Sequence, residues 1–292
     1  MRALITGAGG ALGRALVLEA PAGAHVVALP HDRLDIADAG AAGRILDEST
    51  PEVLFNAAAY TDVDGAEKYP AVAARANAEG PALLARLCRE RKVLLVHVST
   101  DYVFDGRKGS AYVEDDAPAP LGAYARTKLA GERAVLESGA LALVVRTSWL
   151  YGDWPARGFP QKVLEWAATK DVVELASDQR GSPTYARPLS RALWALAARR
   201  AAGLYHWAAT GRASRYDFGK FLLEKAREGG EVFQAKEFRP VPASRFLLPA
   251  PRPASSALSA ARIATTFPDL APASWQEMAG EFLRNRPARR PG

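Results

Sequence analysis

The sequence predicts an α/β protein built on a doubly wound parallel sheet of the Rossmann type, with a second, smaller C-terminal region. In the first half, short apolar runs alternate with stretches of helical periodicity, which is typical of a parallel sheet covered by helices on both faces. A glycine-rich turn follows the first apolar run, and hydroxyl side chains end a later one. At 292 residues, the chain is long enough to bury the core that such a sheet requires.

The elements of the first half follow in order along the chain. A strand at residues 3–6 leads into a helix that starts near Leu12. Residues 81–91 repeat leucines at helical spacing with Cys88 on the same stripe, so we predict that Cys88 is a core residue rather than a nucleophile. Further strands are predicted at 25–29, 53–57, 93–99 and 141–147.

The composition of the sequence changes after about Tyr151, where Pro, Trp and Phe become more frequent. We therefore predict one unit at 1–150 and a second at 151–292. The two are expected to be partly interwoven, with 203–209 returning to the main sheet. Because it is rich in proline, the stretch 239–253 is expected to be irregular. Helices are predicted at 162–170, 189–199 and 216–227, and strands at 172–175 and 203–208.

Composition and charge exclude several classes of protein. The net charge is +6, but the last nine residues hold four Arg and no acid, so the preceding 283 residues carry only +2. This distribution argues against a nucleic-acid-binding protein. A single cysteine permits neither an internal disulfide nor a cysteine-rich zinc site. With neither a secretory signal nor an apolar run of membrane-spanning length, we expect a cytoplasmic protein with no membrane partner.

The glycine-rich turn has the context of a dinucleotide-binding loop. Gly7, Gly10 and Gly13 stand between the first strand and the first helix in the spacing G-x-x-G-x-x-G. Glycine there permits a tight turn and a close approach of backbone to a diphosphate over the helix N-terminus. This longer spacing is typical of short-chain dehydrogenases and reductases. We therefore expect the unit at 1–150 to bind a dinucleotide and the region at 151–292 mainly to bind substrate.

The turn after the second strand bears on the choice of cofactor. An acidic residue at this point holds the adenosine ribose and selects NAD, but here Pro30 occupies the position. His31 and Arg33 could meet a 2′-phosphate, or could equally be solvated loop residues. We predict NADPH as the cofactor, with NADH accepted.

A catalytic constellation is predicted from two further segments. The buried strand at 93–99 ends in Ser99 and Thr100, at the carboxyl edge where open α/β sheets bind ligands. Tyr124 and Lys128 are four residues apart and can share one helical face. Protonating an alkoxide requires an acid near ambient pH, and a cation such as Lys128 stabilises the phenolate of Tyr124. Thr100 would hydrogen-bond the substrate oxygen.

These residues lie in a sequence that resembles the extended short-chain reductases that act as dTDP-4-dehydrorhamnose reductase, nearly end to end. The two most specific motifs are Ser-Thr-Asp-Tyr-Val-Phe and Asp-Gln-x-Gly-x-Pro-Thr. The blocks that carry the resemblance are 56–64, 99–104, 124–131, 146–151, 178–184 and 203–206.

The resemblance implies Tyr124 as proton donor, Lys128 as its partner and ribose ligand, and Thr100 as the polarising hydroxyl. The dTDP-sugar would contact Thr100, Asp101, Tyr102 and Trp149, where the indole can cover the methyl face of a deoxysugar. The cofactor residues would be Gly10, Ala11 and Leu12 at the diphosphate, Asp35 and Ile36 at the adenine, and Ala59, Tyr60 and Thr61 nearby; to these we add Gly7, Gly13, Ala57, Ala58 and Ser99.

The sequence departs from the family pattern in three ways. Pro30 replaces an acidic or polar residue, and Pro188 stands where the family often has Asp. Some members are thought to dimerise through metal-bridging glutamates, but here the corresponding positions hold Ala15 and Arg187. We therefore expect no metal, and either a monomer or a dimer that no metal bridges.

Competing functions on the same fold remain open. A dehydratase needs an Asp-Glu pair after the threonine, whereas here Asp101 is followed by Tyr102. A nucleotide-sugar epimerase or another reductase would use the same tyrosine. The regulatory subunit of methionine adenosyltransferase resembles this family without catalysing a reaction, although Tyr124 and Lys128 favour an enzyme.

Overall fold

The protein is seen in a computed structural model that describes residues 1–153 and 158–286. The strands are β1 (Arg2–Thr6), β2 (His25–Leu29), β3 (Val53–Asn56), β4 (Leu94–Thr100), β5 (Ala142–Thr147), β6 (Leu150–Tyr151), β7 (Val172–Ala176), β8 (Arg180–Gly181), β9 (Thr184–Tyr185), β10 (Gly203–His206), β11 (Ala213–Ser214) and β12 (Glu237–Val241). The helices are α1 (Ala11–Leu18), α2 (Ala39–Ser49), α3 (Val63–Lys68), α4 (Pro70–Ala74), α5 (Gly80–Arg91), α6 (Ala123–Glu137), α7 (Phe159–Thr169), α8 (Ala186–Ala198), α9 (Arg215–Glu228), α10 (Ala261–Thr266) and α11 (Trp275–Asn285).

Six parallel strands form the main sheet in the order β10-β5-β4-β3-β1-β2. The chain steps from β1 outward to β2 and then returns to pair β3 on the other side of β1. This reversal is the topological switch point at which doubly wound sheets bind their ligands. The predicted doubly wound α/β fold is confirmed.

The central strands are mostly apolar and contribute side chains to a core on each face of the sheet. Along β1, Leu4 faces a core with α2 and α5, whereas Ile5 faces a second core with α1 and α8. Cys88 lies fully buried in the first of these cores, which confirms its predicted structural role.

No helix within residues 1–153 and 158–286 is long and apolar enough to cross a membrane.

The second half of the chain builds around the carboxyl edge of this sheet. Strand β10 pairs in parallel with β5, so the chain returns to the main sheet within this half. Helix α8 packs against α1, where the Trp194 indole donates to the Leu16 carbonyl at 2.9 Å. The division at residue 150 stays a prediction.

One predicted irregular segment is partly regular. The stretch 239–253 begins inside β12, which pairs in parallel with β7 in a separate two-stranded sheet. Pro240 is tolerated because a strand of such a sheet is an edge strand, where one row of amide groups needs no partner. Beyond β12, the segment has only a single 3₁₀ turn, Ala243–Arg245.

Candidate active site

The glycine turn is close-packed and ends in an exposed helix N-terminus. Gly7 has a φ of 68°, and a Cβ there would lie 2.5 Å from the Ala58 amide nitrogen. A Cβ at Gly13 would lie 2.3 Å from the Gly7 carbonyl oxygen. The N-cap of α1 is Gly10, so no side chain caps the helix, and its first turn holds no acidic residue. Its amide groups are therefore available to an anion.

The loop after β3 runs beside this turn and is held by buried amide side chains. Asn56 accepts from the Thr6 hydroxyl at 2.8 Å and from the Ala58 amide at 3.2 Å. Asn77 accepts from the Tyr60 amide at 2.9 Å and donates to the Tyr60 carbonyl at 3.1 Å. Asn77 lies in a π-helical segment, Arg75–Glu79, a distortion that often marks functional sites. This bracing fixes the predicted cofactor residues 57–61 against the glycine turn.

The turn after β2 approaches the glycine loop through its proline. A Cβ at Gly9 would lie 3.5 Å from the Pro30 Cβ, so Pro30 borders the predicted diphosphate site. His31 and Arg33 are exposed beyond it. Asp35 accepts from the Ala37 amide and from Arg75, and these hydrogen bonds lower the pKa of its carboxyl group.

The side chain of Ile36 takes a packing role. It is buried, and Gly80 is the residue that makes room for it, since a Cβ there would lie 2.5 Å from the Ile36 Cγ1. Any adenine contact at Ile36 would therefore come mainly from its backbone.

Thr100 ends β4 and its hydroxyl is fixed from several sides. It donates to the Asp101 carboxylate at 3.1 Å and accepts from the Tyr102 amide at 3.2 Å, and it lies near enough to Tyr124 to influence the pKa of that phenol. Asp101 also accepts from Ser148 at 2.8 Å and from Ser256. Burial raises the pKa of Asp101 to about 6.

Asp101 therefore acts on the site through the Thr100 hydroxyl that it orients. Its side chain is only 2% exposed and its oxygens are occupied by three hydroxyl groups. The predicted direct contact of Asp101 with the sugar stays a prediction, which this geometry does not favour.

Tyr124 and Lys128 lie on one face of α6, as their spacing predicts. Glu67 caps this helix in place of Gly122, because its carboxylate accepts the Ala123 amide at 2.6 Å. Lys128 is buried and donates to the Val98 carbonyl of β4 at 2.7 Å. Burial lowers the pKa of Lys128 to about 8 and raises the pKa of Tyr124. The phenol of Tyr124 is thus protonated at neutral pH, as a proton donor must be.

A buried ion pair stands one helical turn beyond Lys128. Glu132 accepts from Arg146 through both carboxylate oxygens, at 2.5 and 3.0 Å, and both side chains are almost fully buried. The ring of His206 lies 3.2 Å from Arg146, and its other nitrogen contacts the Tyr112 carbonyl. Burial lowers the pKa of His206 to about 3, so this ring is neutral.

Trp149 lies just beyond the end of β5 in a backbone conformation that few bulky residues adopt. Its φ is 44°, in the left-handed region that is uncommon for a bulky residue. Gly181 of the Asp-Gln-x-Gly-x-Pro-Thr motif makes room for the indole, since a Cβ there would lie 2.4 Å from the ring. The rings of Tyr102 and Tyr124 meet edge to face at 6.1 Å between centroids.

The structure thus brings Thr100, Tyr102 and Tyr124 together at the end of β4, and Lys128 contacts the same strand. His31 and Arg33 lie apart from them, exposed in the turn after β2. Residues that support the site but were absent from the sequence prediction are Asn77, Glu132, Ser148, Arg215 and Ser256. Of these residues, only Ser148 has a sequence signal, because it lies in the 146–151 motif, which also contains Arg146, the partner of Glu132.

Comparison with known proteins identifies the family. Residues 1–287 match the family described as the RmlD substrate binding domain. Over 264 residues the chain is 44% identical to the dTDP-4-dehydrorhamnose reductase of Mycobacterium tuberculosis, covering 88% of this chain and 84% of that protein. The chain belongs to the dTDP-4-dehydrorhamnose reductase family.

Two further relatives of this family member bear on substrate and cofactor. A protein of Streptomyces antibioticus, named a probable dTDP-4,6-dihydroxy-2-methyloxan-3-one 4-ketoreductase, is 43% identical over 88% of this chain and 86% of its own length. The dTDP-4-dehydrorhamnose reductase of Bacillus anthracis, solved in complex with NADP, is 31% identical with a TM-score of 0.91. That match covers 97% of this chain and 98% of the other.

Assembly is expected to be insensitive to metal ions. Arg187 pairs with Asp153 at 2.6 Å and with Glu19 at 3.7 Å, and Arg191 pairs with Glu19 and Glu281. These acids are therefore neutralised within the chain, and residues 1–153 and 158–286 contain no cluster of three metal-ligating side chains. We expect light scattering to give the same mass in EDTA and in Mg²⁺, and a mass change on chelation would contradict this.

Proposed function

We propose that this chain reduces the 4-keto group of dTDP-4-dehydro-L-rhamnose to give dTDP-L-rhamnose, with NADPH as the reductant. The observation that carries the proposal is the clustering of three groups at the carboxyl edge of β4: Thr100, which bonds the Tyr102 amide; Tyr124, whose ring meets that of Tyr102; and Lys128, which donates to the Val98 carbonyl of the same strand. Membership of the family supplies the substrate class, and the NADP complex of the Bacillus anthracis relative supports the cofactor.

The residues around the switch point fit a dinucleotide. The uncapped N-terminus of α1 offers amide groups to a diphosphate. Because Gly7 and Gly10 have no side chains, a diphosphate can come close to this backbone. The Ser99 hydroxyl is buried at the edge of the sheet without a hydrogen-bond partner among the described residues, which suits a polar group of a ligand. The bound cofactor would supply a hydride to the carbonyl carbon.

The side chains of this site would supply the proton and hold the substrate oxygen. Burial raises the pKa of Tyr124, so its hydroxyl carries a proton that can pass to the oxygen as negative charge develops there. Asp101 accepts from the Thr100 hydroxyl in the free protein and so holds it at the edge of β4. On substrate binding that hydroxyl would turn its proton to the carbonyl oxygen, which accepts from Thr100 and Tyr124. Lys128 adds positive charge that favours the resulting phenolate and can hold the ribose.

The rate is expected to depend on pH through two buried groups. Because burial raises the pKa of Asp101 to about 6, kcat/KM should fall below pH 6 as its carboxylate is protonated and releases Thr100. Because burial lowers the pKa of Lys128 to about 8, kcat/KM should fall above pH 8 as its positive charge is lost. The Asp101→Asn variant should be slower and should lack the acid limb; retention of that limb would contradict the assignment.

NADPH is expected to be preferred over NADH, by less than about tenfold. Pro30 carries no charge to repel a 2′-phosphate, and the exposed His31 and Arg33 can donate to it, whereas Asp32 partly offsets their attraction. A screened, exposed contact is worth about 1 kcal/mol or less. Comparing kcat/KM for the two cofactors decides this, and a preference for NADH beyond tenfold would contradict it.

Consumption of NADPH in the presence of the keto sugar tests the proposed function. The assay should compare dTDP-4-dehydro-L-rhamnose with other dTDP-4-keto sugars, because one relative at 43% identity is named for a different dTDP-linked substrate. An epimerase would convert the sugar without net oxidation of NADPH, and a regulatory subunit would do neither. Either result would overturn the proposal.

A further inference from the structure

Arg215, at the start of α9, is a cation held between two aromatic rings at the wall of the cleft. Its Cζ lies 3.7 Å from the centroid of the Trp149 ring and 4.7 Å from that of Phe159. Its positive charge also acts on Tyr102, where it partly offsets the burial that raises the pKa of that phenol. Withdrawal from water lowers the pKa of this guanidinium, but arginine stays charged at neutral pH.

The charge of Arg215 is not neutralised by an ion pair. Within residues 1–153 and 158–286, no carboxylate lies within ion-pair distance of it. The acid nearest in sequence, Asp217, accepts the Ser214 amide in a capping box and faces Arg180. The second cation nearby, Arg252, is already paired with Asp64 at 2.6 Å.

A stacked guanidinium keeps its N–H donors free at its edge. Arginine has five N–H groups in one plane, and stacking on a ring occupies its faces rather than those donors. These donors can therefore bind an oxyanion. A partly desolvated cation is costly when no anion contacts it, and Asp101 attracts Arg215 only from beyond ion-pair distance, so the arrangement suits an anionic ligand.

The position of Arg215 relative to Tyr124 identifies which anion. Tyr102 lies between them, with its ring against Tyr124 and its phenol within electrostatic reach of Arg215. In a nucleotide sugar, C4 and C1 lie on opposite sides of the pyranose ring, and the diphosphate is attached at C1. A sugar whose C4 oxygen meets Tyr124 can therefore span Tyr102 and present its diphosphate on the Arg215 side.

We infer that Arg215 binds the diphosphate of the nucleotide sugar, on a platform formed by Trp149 and Phe159. This inference rests on the proposed function for the identity of the sugar, but not for the diphosphate, which every nucleotide sugar of this type contains. Arg215 thereby sets the distance between the anchored phosphate and the reacting C4.

Calorimetric binding to the full chain tests this inference. Arg215→Gln should weaken dTDP binding by about 10- to 100-fold, the size expected for a lost charge-assisted hydrogen bond. Binding of thymidine, which has no phosphate, and of NADPH should be unchanged. Arg215→Lys should bind dTDP with an affinity between those of the wild type and Arg215→Gln, because lysine keeps the charge without the planar fork. Arg212→Gln, an exposed arginine on the same segment, is the matched control.

The outcomes separate the inference from the proposed function. Equal losses for dTDP and thymidine would show that Arg215 only shapes the Trp149 surface, and a loss for NADPH alone would assign it to the cofactor; both overturn the inference. If the wild type binds dTDP but reduces no dTDP-keto sugar, the proposed function fails and the Arg215 result stands. If it binds neither dTDP, UDP nor GDP, the inference fails as well.

Discussion

Replacing Tyr124 by Phe is expected to lower kcat by about 10²- to 10⁴-fold, the usual contribution of a general acid. The variant removes the hydroxyl that is proposed to donate the proton but keeps the ring that packs edge to face against Tyr102. The fold and the cofactor site should therefore persist, and the Kd for NADPH should stay within a few-fold of the wild type. Single-turnover kinetics with saturating NADPH measures the chemical step directly.

Two further variants make this result specific. Lys128→Met should lower kcat and also weaken NADPH binding, because the buried ammonium is proposed to act on both Tyr124 and the ribose. Tyr205→Phe, which removes a phenol from β10 at the edge of the sheet, should leave kcat unchanged. A Tyr124→Phe enzyme that turns over within a few-fold of the wild type would sink the proton-donor assignment.

The parts of the site that the sequence predicts are those encoded over short distances. Gly7 to Gly13 signal a turn through their own backbone requirements, and Tyr124 and Lys128 share a face because a helix repeats after about four residues. The end of an apolar run fixes Thr100 at the carboxyl edge of the sheet. None of these inferences needs to know which distant segment packs nearby.

The parts that the sequence does not predict depend on contacts between distant segments. Asp101 is held by Ser256, 155 residues away, and Asn77 reaches Thr127 of α6 across 50 residues. A lone serine or asparagine has no pattern that distinguishes such a role from a solvated loop residue. Arg215 is found only once the fold places α9 beside Trp149. The roles of Ser256, Asn77 and Arg215 therefore become visible only in the tertiary structure.

Replacing Glu132 by Gln is expected to reduce the free energy of unfolding by about 3–5 kcal/mol, the cost of leaving a buried charge without its partner. Arg146 is 2% exposed and would lose both of its hydrogen bonds to a carboxylate. His206 cannot replace the lost negative charge. Burial lowers the pKa of its ring to about 3, so the ring is neutral. Lys128, one turn away, would lose the attraction of the same anion.

Urea unfolding followed by circular dichroism measures this change, with Glu137→Gln as the matched control. Glu137 lies on the same helix but is exposed, so its replacement should alter the free energy of unfolding by no more than about 0.5 kcal/mol. The double variant Glu132→Leu with Arg146→Met should recover most of the loss, because apolar side chains of similar volume remove both buried charges together. A cost below about 1 kcal/mol for Glu132→Gln would mean that water or a rearranged side chain already stabilises Arg146. In that case the negative charge of Glu132 would not be what stabilises the buried charges of Arg146 and Lys128.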